Sequence, residues 1–150
     1  MGQAHDETYK VIIGIGTDLC DIGRIDKVID KFGDRFLNRI FTPHERNYCD
    51  AKSGRAAYYA KRFAAKEAAA KALAGVKTGA LSWQDVEVIN DPSGRPRLKL
   101  YGGALARLET HLPDRHKANV HLSLSDDPPY ALAFVIIEAL PQYKALPQEI

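Results

Sequence analysis

The sequence has few cysteines and little net charge. Only two of its 150 residues are cysteines, Cys20 and Cys49, and neither stands in a Cys-x-x-Cys pair. Two isolated cysteines make no disulfide framework, so a small disulfide-stabilised domain is excluded. The formal net charge is only +2, which excludes a polybasic tail protein.

Long apolar runs are also missing. Residues 1–9 are polar and contain no stretch of the signal-peptide type. Elsewhere, no apolar stretch approaches the length of a membrane span. We therefore expect a cytoplasmic protein with no membrane association, with loose termini at residues 1–9 and 141–150.

The composition that is present suits one folded domain over residues 1–150. Hydrophobic residues make up 45% and charged residues 27% of the chain, which is typical of a globular protein with a core. Positive charge is concentrated around one helix-forming segment, and such a field suits a phosphate ligand or an acidic protein. The cluster consists of Lys52, Arg55, Lys61, Arg62, Lys66, Lys71 and Lys77.

Residues 58–75 predict the central helix of the fold. Alanine, lysine and glutamate dominate this segment, and Gly75 suits its C-terminal cap. Phe63, Glu67 and Lys71 recur at i, i+4 and i+8, so they lie on or near one face. That face adjoins a stripe expected to be buried, formed by Ala60, Ala64, Ala68 and Leu73. A solvated surface pair between Glu67 and Lys71 is the simpler alternative.

An apolar run from Val11 to Gly16 predicts a strand that presents Asp18 at its end. The Gly-x-Gly within it is too little for a dinucleotide-binding fingerprint, because Leu19 occupies the third glycine position and no second βαβ unit follows. The glycines instead allow a second backbone to approach closely. The alternative role for Asp18 is to cap the next helix.

The remaining patterns place most helices before most strands. We predict helices near 22–32, 34–41, 43–51, 55–75 and 104–112, and strands near 11–16, 83–90, 96–101, 119–125 and 130–139. Because helices and strands are segregated in blocks, the predicted class is α+β. The second half of the chain is expected to form an antiparallel sheet, with the central helix packed across it.

Asp18 and Glu67 are the carboxylates best placed to meet. Mg²⁺ takes one or two carboxylates, keeps several waters and accepts its remaining ligands from substrate phosphates. Lysines one turn away would then neutralise phosphate oxygens. The pattern indicates metal-assisted chemistry on a phosphate compound.

Over residues 11 to 139 the sequence resembles the holo-[acyl carrier protein] synthases, the small type of 4′-phosphopantetheinyl transferase. The motifs that carry this resemblance occur in the right order: Gly14-Ile15-Gly16-Thr17-Asp18, Arg24-Ile25, the segment 61–72, the segment 83–88, Gly94-Arg95-Pro96, and the closing segments 120–125 and 133–138. The resemblance implies the α+β fold of that family, an antiparallel sheet packed against a long central helix in a single domain.

The resemblance also implies a reaction. The serine hydroxyl of an apo acyl carrier protein attacks the β-phosphate of coenzyme A, phosphopantetheine is transferred, and adenosine 3′,5′-bisphosphate leaves. It assigns Mg²⁺ to Asp18 and Glu67, and places Lys71 beside the phosphates as the third catalytic residue. The family forms homotrimers that bind coenzyme A between subunits. The expected partners are therefore coenzyme A, acyl carrier protein and further copies of the chain. Neither nucleic acid nor a membrane is expected.

Further roles follow from the same resemblance. Arg24 is expected to contact the acidic recognition helix of the carrier protein. Coenzyme A binding is assigned to Arg62, Phe63, Lys66, Lys71 and Ser125. Many family members carry Ser-His or Thr-His where this chain has Ser125-Asp126, so no histidine role can be carried over. Asp126 is expected to face the metal, its waters or the solvent.

Two alternatives from other functional classes remain. The first is a non-catalytic relative that binds coenzyme A or acyl carrier protein, and the presence of Asp18, Glu67 and Lys71 argues against it. The second is a nucleic-acid-binding module, suggested only by the basic cluster. The sequence lacks the interleaved exposed aromatics on which single-strand binders stack bases.

Overall fold

Helices and strands account for most of the part of the chain that the computed structural model describes, residues 11–75 and 80–142. The strands are β1 (Ile12–Asp21), β2 (Val86–Asn90), β3 (Pro96–Leu100), β4 (His116–Asp127) and β5 (Tyr130–Pro141). The helices are α1 (Ile22–Phe32), α2 (Asp34–Ile40), α3 (Pro43–Asp50), α4 (Arg55–Ala72) and α5 (Gly102–His111). Within these residues, no helix has the length and apolar content needed to cross a membrane.

The main sheet is antiparallel, with strand order β1-β5-β4. The apolar strand β5 is central, as its sequence predicts, and the predicted α+β class is confirmed. The second half of the chain supplies two of the three strands of this sheet, β4 and β5, as expected. Strand β1 comes from the start of the chain and pairs along most of its length with β5, while β2 and β3 form a separate two-stranded sheet.

Helix α4 packs directly on β1 and β5. The contact is unusually close, because a Cβ atom added at Gly16 would lie 1.9 Å from the carbonyl oxygen of Ala68. At Gly14 it would lie 2.3 Å from the carbonyl oxygen of Ala72. The predicted role of these glycines is therefore confirmed: they let a helix backbone approach a strand backbone.

The end of β1 differs from the prediction. The strand continues to Asp21, so Asp18 lies within it, opposite Ala133 of β5. The N-cap of α1 is Asp21, whose Oδ1 accepts a hydrogen bond from the Arg24 backbone nitrogen at 3.1 Å. The capping alternative for Asp18 is therefore wrong.

Two other boundaries also differ from prediction. Helix α4 ends at Ala72, before Gly75, which adopts a φ of 100° in the following turn. The predicted strand at 83–90 begins with a 3₁₀ turn, Trp83–Asp85, because the backbone nitrogen of Asp85 donates to the carbonyl of Ser82 at 3.0 Å.

The chain ends are only partly covered by the structure. Residues 1–9 and 143–150 lie outside the described residues, as do residues 76–79 of the predicted loop. Pro141, expected to begin a loose tail, is instead the last residue of β5. The backbone nitrogen of Gln142 donates to the carbonyl of Arg115 at 2.7 Å.

The two faces of the main sheet differ in their surroundings. The inner face is covered by α4, and Ala131, Ala133 and Val135 of β5 are completely buried there. On the opposite side, large apolar side chains of β1 and β5 are between 37% and 61% exposed. We call this the outer sheet face, defined by Ile15, Leu19, Leu132 and Phe134.

Candidate active site

A cleft between β1, α1 and α4 brings two carboxylates together. Asp18 of β1 and Glu67 of α4 both line it, with Arg24 of α1 and Phe63 of α4. Alternation along β1 explains how Asp18 arrives there, because it points to the same side of the strand as Gly16, which lies against α4. The convergence expected from sequence is therefore present within one chain.

The two carboxylates influence each other electrostatically. Burial raises the pKa of the Glu67 carboxyl, the negative charge of Asp18 raises it further, and Lys71 lowers it. Burial, followed by the charge of Asp18, raises the pKa of the nearby Cys20 thiol to about 11. Two partly buried like charges repel, and a bound cation would relieve that repulsion.

Lys71 contacts the strand and not only its own helix. Its Nζ donates to the carbonyl of Thr17 at 2.8 Å and to Asp18 Oδ1 at 3.1 Å. The Lys71 side chain is 56% exposed, while that of Asp18 is 18% exposed. Lys71 thus forms its ion pair with a carboxylate of β1. The alternative considered above was a solvated pair with Glu67 of its own helix.

The donor set fits Mg²⁺ better than a structural transition metal. Among the described residues, no group of three or more His, Cys, Asp or Glu side chains is placed to hold a metal ion. A structural zinc site needs four such ligands. Two carboxylates are enough for Mg²⁺, which takes its other ligands from water and substrate phosphates.

Two residues expected to bind coenzyme A are buried elsewhere. Both Arg62 and Lys66 are 2% exposed, and neither lines the cleft. The guanidinium of Arg62 donates to Asn90 Oδ1 at 2.9 Å and stacks 4.1 Å from the centre of the Tyr48 ring. Direct contact with a ligand does not fit this placement, because both cations are enclosed by their own chain.

The two candidate residues of the closing hairpin, Ser125 and Asp126, are both exposed. Ser125 is exposed on β4, opposite Leu132, and lies outside the cleft lining. Asp126 is exposed to the solvent, one of the placements expected for it, and its Oδ1 also forms an ion pair with Lys61 Nζ at 2.9 Å. A cation from α4 therefore balances the charge that replaces the family's usual histidine.

Helix α1 carries a basic surface that our sequence interpretation did not identify as a group. A shallow groove over α1 is lined by Arg24, Lys27 and Lys31, and by the exposed ring of Phe32. The i, i+3, i+7 spacing of the three cations is the signal that was available in the sequence. Arg24 borders both this groove and the carboxylate cleft.

Comparisons with known proteins agree with the geometry. The family model described as the 4'-phosphopantetheinyl transferase superfamily matches residues 14–135. The holo-[acyl-carrier-protein] synthase of Methylobacterium sp. (strain 4-46) is 55% identical over 130 residues, which cover 87% of this chain and 96% of that protein.

Solved structures show the same similarity. The holo-[acyl-carrier-protein] synthase of Neisseria meningitidis is 40% identical with a TM-score of 0.70, covering 85% of this chain and 98% of that one. The holo-(acyl-carrier-protein) synthase of Bacillus anthracis, in complex with CoA (3',5'-ADP), is 36% identical with a TM-score of 0.67. That match covers 87% of this chain and 99% of the other.

Proposed function

Because the chain belongs to the 4'-phosphopantetheinyl transferase superfamily, we propose that it transfers the 4′-phosphopantetheine group of coenzyme A to a serine of apo acyl carrier protein. The products are holo acyl carrier protein and adenosine 3′,5′-bisphosphate. The observation that carries the proposal is the meeting of Asp18 and Glu67 at one cleft, with Lys71 hydrogen-bonded to Asp18. This is the arrangement that phosphoryl transfer requires.

In this proposal Asp18 and Glu67 hold Mg²⁺. When bound, the ion supplies positive charge to the pyrophosphate and stabilises the departing phosphate. Lys71 is more exposed than the carboxylate it contacts, since its side chain is 56% exposed and that of Asp18 is 18% exposed. We propose that the Lys71 ammonium stabilises the negative charge that develops on the leaving group. The half-buried ring of Phe63, stacked on Trp83 with ring centres 5.3 Å apart, forms an apolar wall suited to the pantetheine arm.

The basic groove of α1 suits the protein substrate. The family resemblance implies that acyl carrier protein is recognised through an acidic helix. Arg24, Lys27 and Lys31 offer positive charge that complements such a helix. Arg24 borders both the groove and the carboxylate cleft. A partner seated on α1 would therefore have its serine close to Asp18 and Glu67.

We also propose a homotrimer that functions in the cytoplasm. The outer sheet face supports assembly, since a contiguous exposed apolar surface marks a site of protein contact. Ser125 is exposed on the strand β4 that flanks this face, which supports a contribution to coenzyme A bound at a neighbouring subunit. Two free, buried cysteines, Cys20 and Cys49, are in keeping with a reducing compartment.

The proposal is tested by mass spectrometry of an apo acyl carrier protein incubated with the enzyme, coenzyme A and Mg²⁺. The expected result is the mass increment of phosphopantetheine on one serine. Glu67→Gln should lower the rate by about 100-fold or more, because it removes one of the two carboxylates assigned to Mg²⁺. Glu109→Gln, at an exposed position of α5, is the matched control and should retain full activity. Binding of coenzyme A without any mass increment would favour the non-catalytic alternative.

A further inference from the structure

A buried ion pair ties α4 to three other segments beside the cleft. Lys66 Nζ donates to Glu45 Oε1 at 2.7 Å, to the carbonyl of Trp83 at 3.1 Å, and to the carbonyl of Val86. The side chains of Lys66 and Glu45 are 1% and 0% exposed. An ammonium has three hydrogens to donate, so this one is fully occupied by its own chain.

The carboxylate of the pair is equally occupied. Glu45 Oε1 also accepts a hydrogen bond from the backbone nitrogen of Thr42 at 3.0 Å, which closes the capping box of α3. Its Oε2 accepts from the backbone nitrogen of Val88 at 2.9 Å. Two buried charges therefore join α3, α4, the 3₁₀ turn and β2 into one unit.

The packing of α4 on β1 does not by itself fix the rotation of the helix about its axis. Helix orientation is normally set by side-chain ridges that fit into grooves. Here the strand offers Gly14 and Gly16, against which the backbone carbonyls of Ala68 and Ala72 lie directly. Such smooth surfaces resist rotation of the helix about its axis only weakly.

A small rotation would displace the site. A side chain about 6 Å from the helix axis moves about 2 Å when the helix turns by about 20°. Functional constellations need to be held within about 0.5 Å. Contacts outside the glycine seam must therefore fix the rotation of α4. Lys61 and Lys71 form ion pairs with other elements too, but those pairs are partly exposed, whereas both side chains of the Glu45–Lys66 pair are buried.

We infer that the Glu45–Lys66 pair is a positioning device that sets the rotation of α4 so that Glu67 faces Asp18. Glu67 follows Lys66 directly and lies about 100° around the helix from it. The pair also holds the Trp83 carbonyl, and the Trp83 ring stacks on Phe63, which lines the cleft beside Glu67. The inference rests on the proposed function, because it concerns the carboxylates assigned there.

The test replaces both charges at once, as Glu45→Gln with Lys66→Met. Removing Lys66 alone would leave a buried carboxylate without its partner, which is strongly destabilising. The glutamine keeps one acceptor oxygen for the backbone N–H of Thr42 or Val88, and its NH2 group can donate to a carbonyl that Lys66 no longer occupies. The folded double variant is expected to show kcat lowered by about 10- to 100-fold, as is typical when supporting contacts of a site are lost. KM for coenzyme A should stay at the wild-type value, because neither residue touches the ligand.

A second readout does not depend on turnover. Binding of Mn²⁺, used as a probe in the absence of substrates, should weaken by about 10-fold or more in the double variant. Tyr59→Phe is the control, since it removes another buried polar contact of α4, between Tyr59 Oη and Asp50 Oδ1 at 2.7 Å. It should lower the unfolding temperature and leave kcat and Mn²⁺ binding unchanged.

The outcomes separate positioning from simple stabilisation. If the folded double variant keeps wild-type kcat and Mn²⁺ affinity, the pair only stabilises the fold and the inference is overturned. Should the double variant fail to fold, Glu45→Asp keeps both buried charges, shortens one side of the pair by a methylene group and is judged by the same two measurements. If the wild-type protein yields no holo carrier protein, the proposed function fails instead, and the Mn²⁺ comparison still decides whether the pair positions Glu67.

Discussion

At the scale of single residues, α4 carries two lysines in opposite environments. Burial lowers the pKa of Lys66, and the charge of Glu45 raises it. Lys71, five positions later, is 56% exposed and reaches Asp18 across the boundary between helix and strand. Of these two lysines, Lys71 is the one whose ammonium a substrate phosphate can approach, so the proposed role at the phosphates belongs to it.

Arg24 offers a test of the proposed partner surface. Arg24→Ala should raise KM for acyl carrier protein by about 10-fold, the effect of losing one charged contact, with little change in KM for coenzyme A. Lys99→Ala, which removes an exposed cation from β3, is the control and should alter neither constant. Steady-state kinetics with each substrate varied in turn gives both values. Equal increases in the two KM values would show that Arg24 does not contact acyl carrier protein.

The cysteines offer a second residue-scale prediction. Burial raises the pKa of Cys49 to about 12 and that of Cys20 to about 11. Only the thiolate reacts with iodoacetamide, and a raised pKa keeps the thiol protonated until the pH approaches that value. At pH 8 the native protein should therefore remain unlabelled, while both cysteines are labelled in urea. Peptide mass spectrometry measures this, and rapid labelling of native Cys20 at pH 8 would show that its surroundings are more open than described.

At the scale of elements, the sequence predicts positions well where local chemistry decides them. The capping box at Thr42 and Glu45 predicts the start of α3, and the structure contains both of its hydrogen bonds. The end of β1 is predicted less well, because the strand continues only where β5 is present to pair with it, from Thr17 to Asp21. Pairing between residues more than a hundred positions apart leaves no local signal.

Some features of the candidate site can likewise be predicted from local sequence, and others depend on tertiary contacts. Helical spacing identifies the face that carries Phe63, Glu67 and Lys71. It does not show that Lys66 is buried, because the acceptors for its ammonium come from Glu45 and from Trp83 and Val86. The same limit applies to Asp126, whose partner Lys61 lies on α4. Motif and spacing thus locate the cleft, while tertiary contacts decide which charged residues can reach it.

The glycine seam between β1 and α4 yields an element-scale prediction. Gly16→Ala places a methyl group 1.9 Å from the Ala68 carbonyl oxygen, a backbone atom that cannot turn aside. We expect a loss of about 1–3 kcal/mol in the free energy of unfolding, the usual cost of overpacking. Transfer activity should fall as well, because α4 must move away from Asp18.

Urea denaturation followed by circular dichroism measures the loss. Gly23→Ala in α1 is the control, since its added Cβ meets only Asp21 Oδ1, at 3.2 Å. Alanine is also the better helix former there, by about 1 kcal/mol. Wild-type stability in the Gly16 variant would mean that α4 does not lie as close to β1 as described.

At the scale of the whole molecule, the main sheet has one covered face and one open face. Helix α4 covers the inner face, and the outer sheet face leaves Ile15 and Leu19 each 61% exposed beside Leu132 and Phe134. Strand β5 is apolar on both sides, so a second covering layer is needed to bury it. Copies of the same chain supply that layer in the proposed trimer.

Phe134→Glu tests the assembly. A charge at the centre of the outer sheet face should leave the fold intact and yield monomers, because a buried unpaired carboxylate is costly. Sedimentation velocity measures the mass. Leu105→Glu, at an apolar position of α5 that is 40% exposed, is the matched control and should retain the wild-type mass. Transfer activity should fall only in the Phe134 variant. If that variant keeps the wild-type mass, the outer sheet face is not the subunit contact.

The contact between β1 and α4 has a consequence for engineering this chain. Main-chain atoms make that contact, so no mutation can improve it, and almost any side chain introduced at Gly14 or Gly16 would block it. Libraries intended to broaden substrate choice should leave those glycines untouched. Diversity is better directed to Phe63 and Arg24, which line the cleft with side chains that can change while the backbone beneath them stays in place.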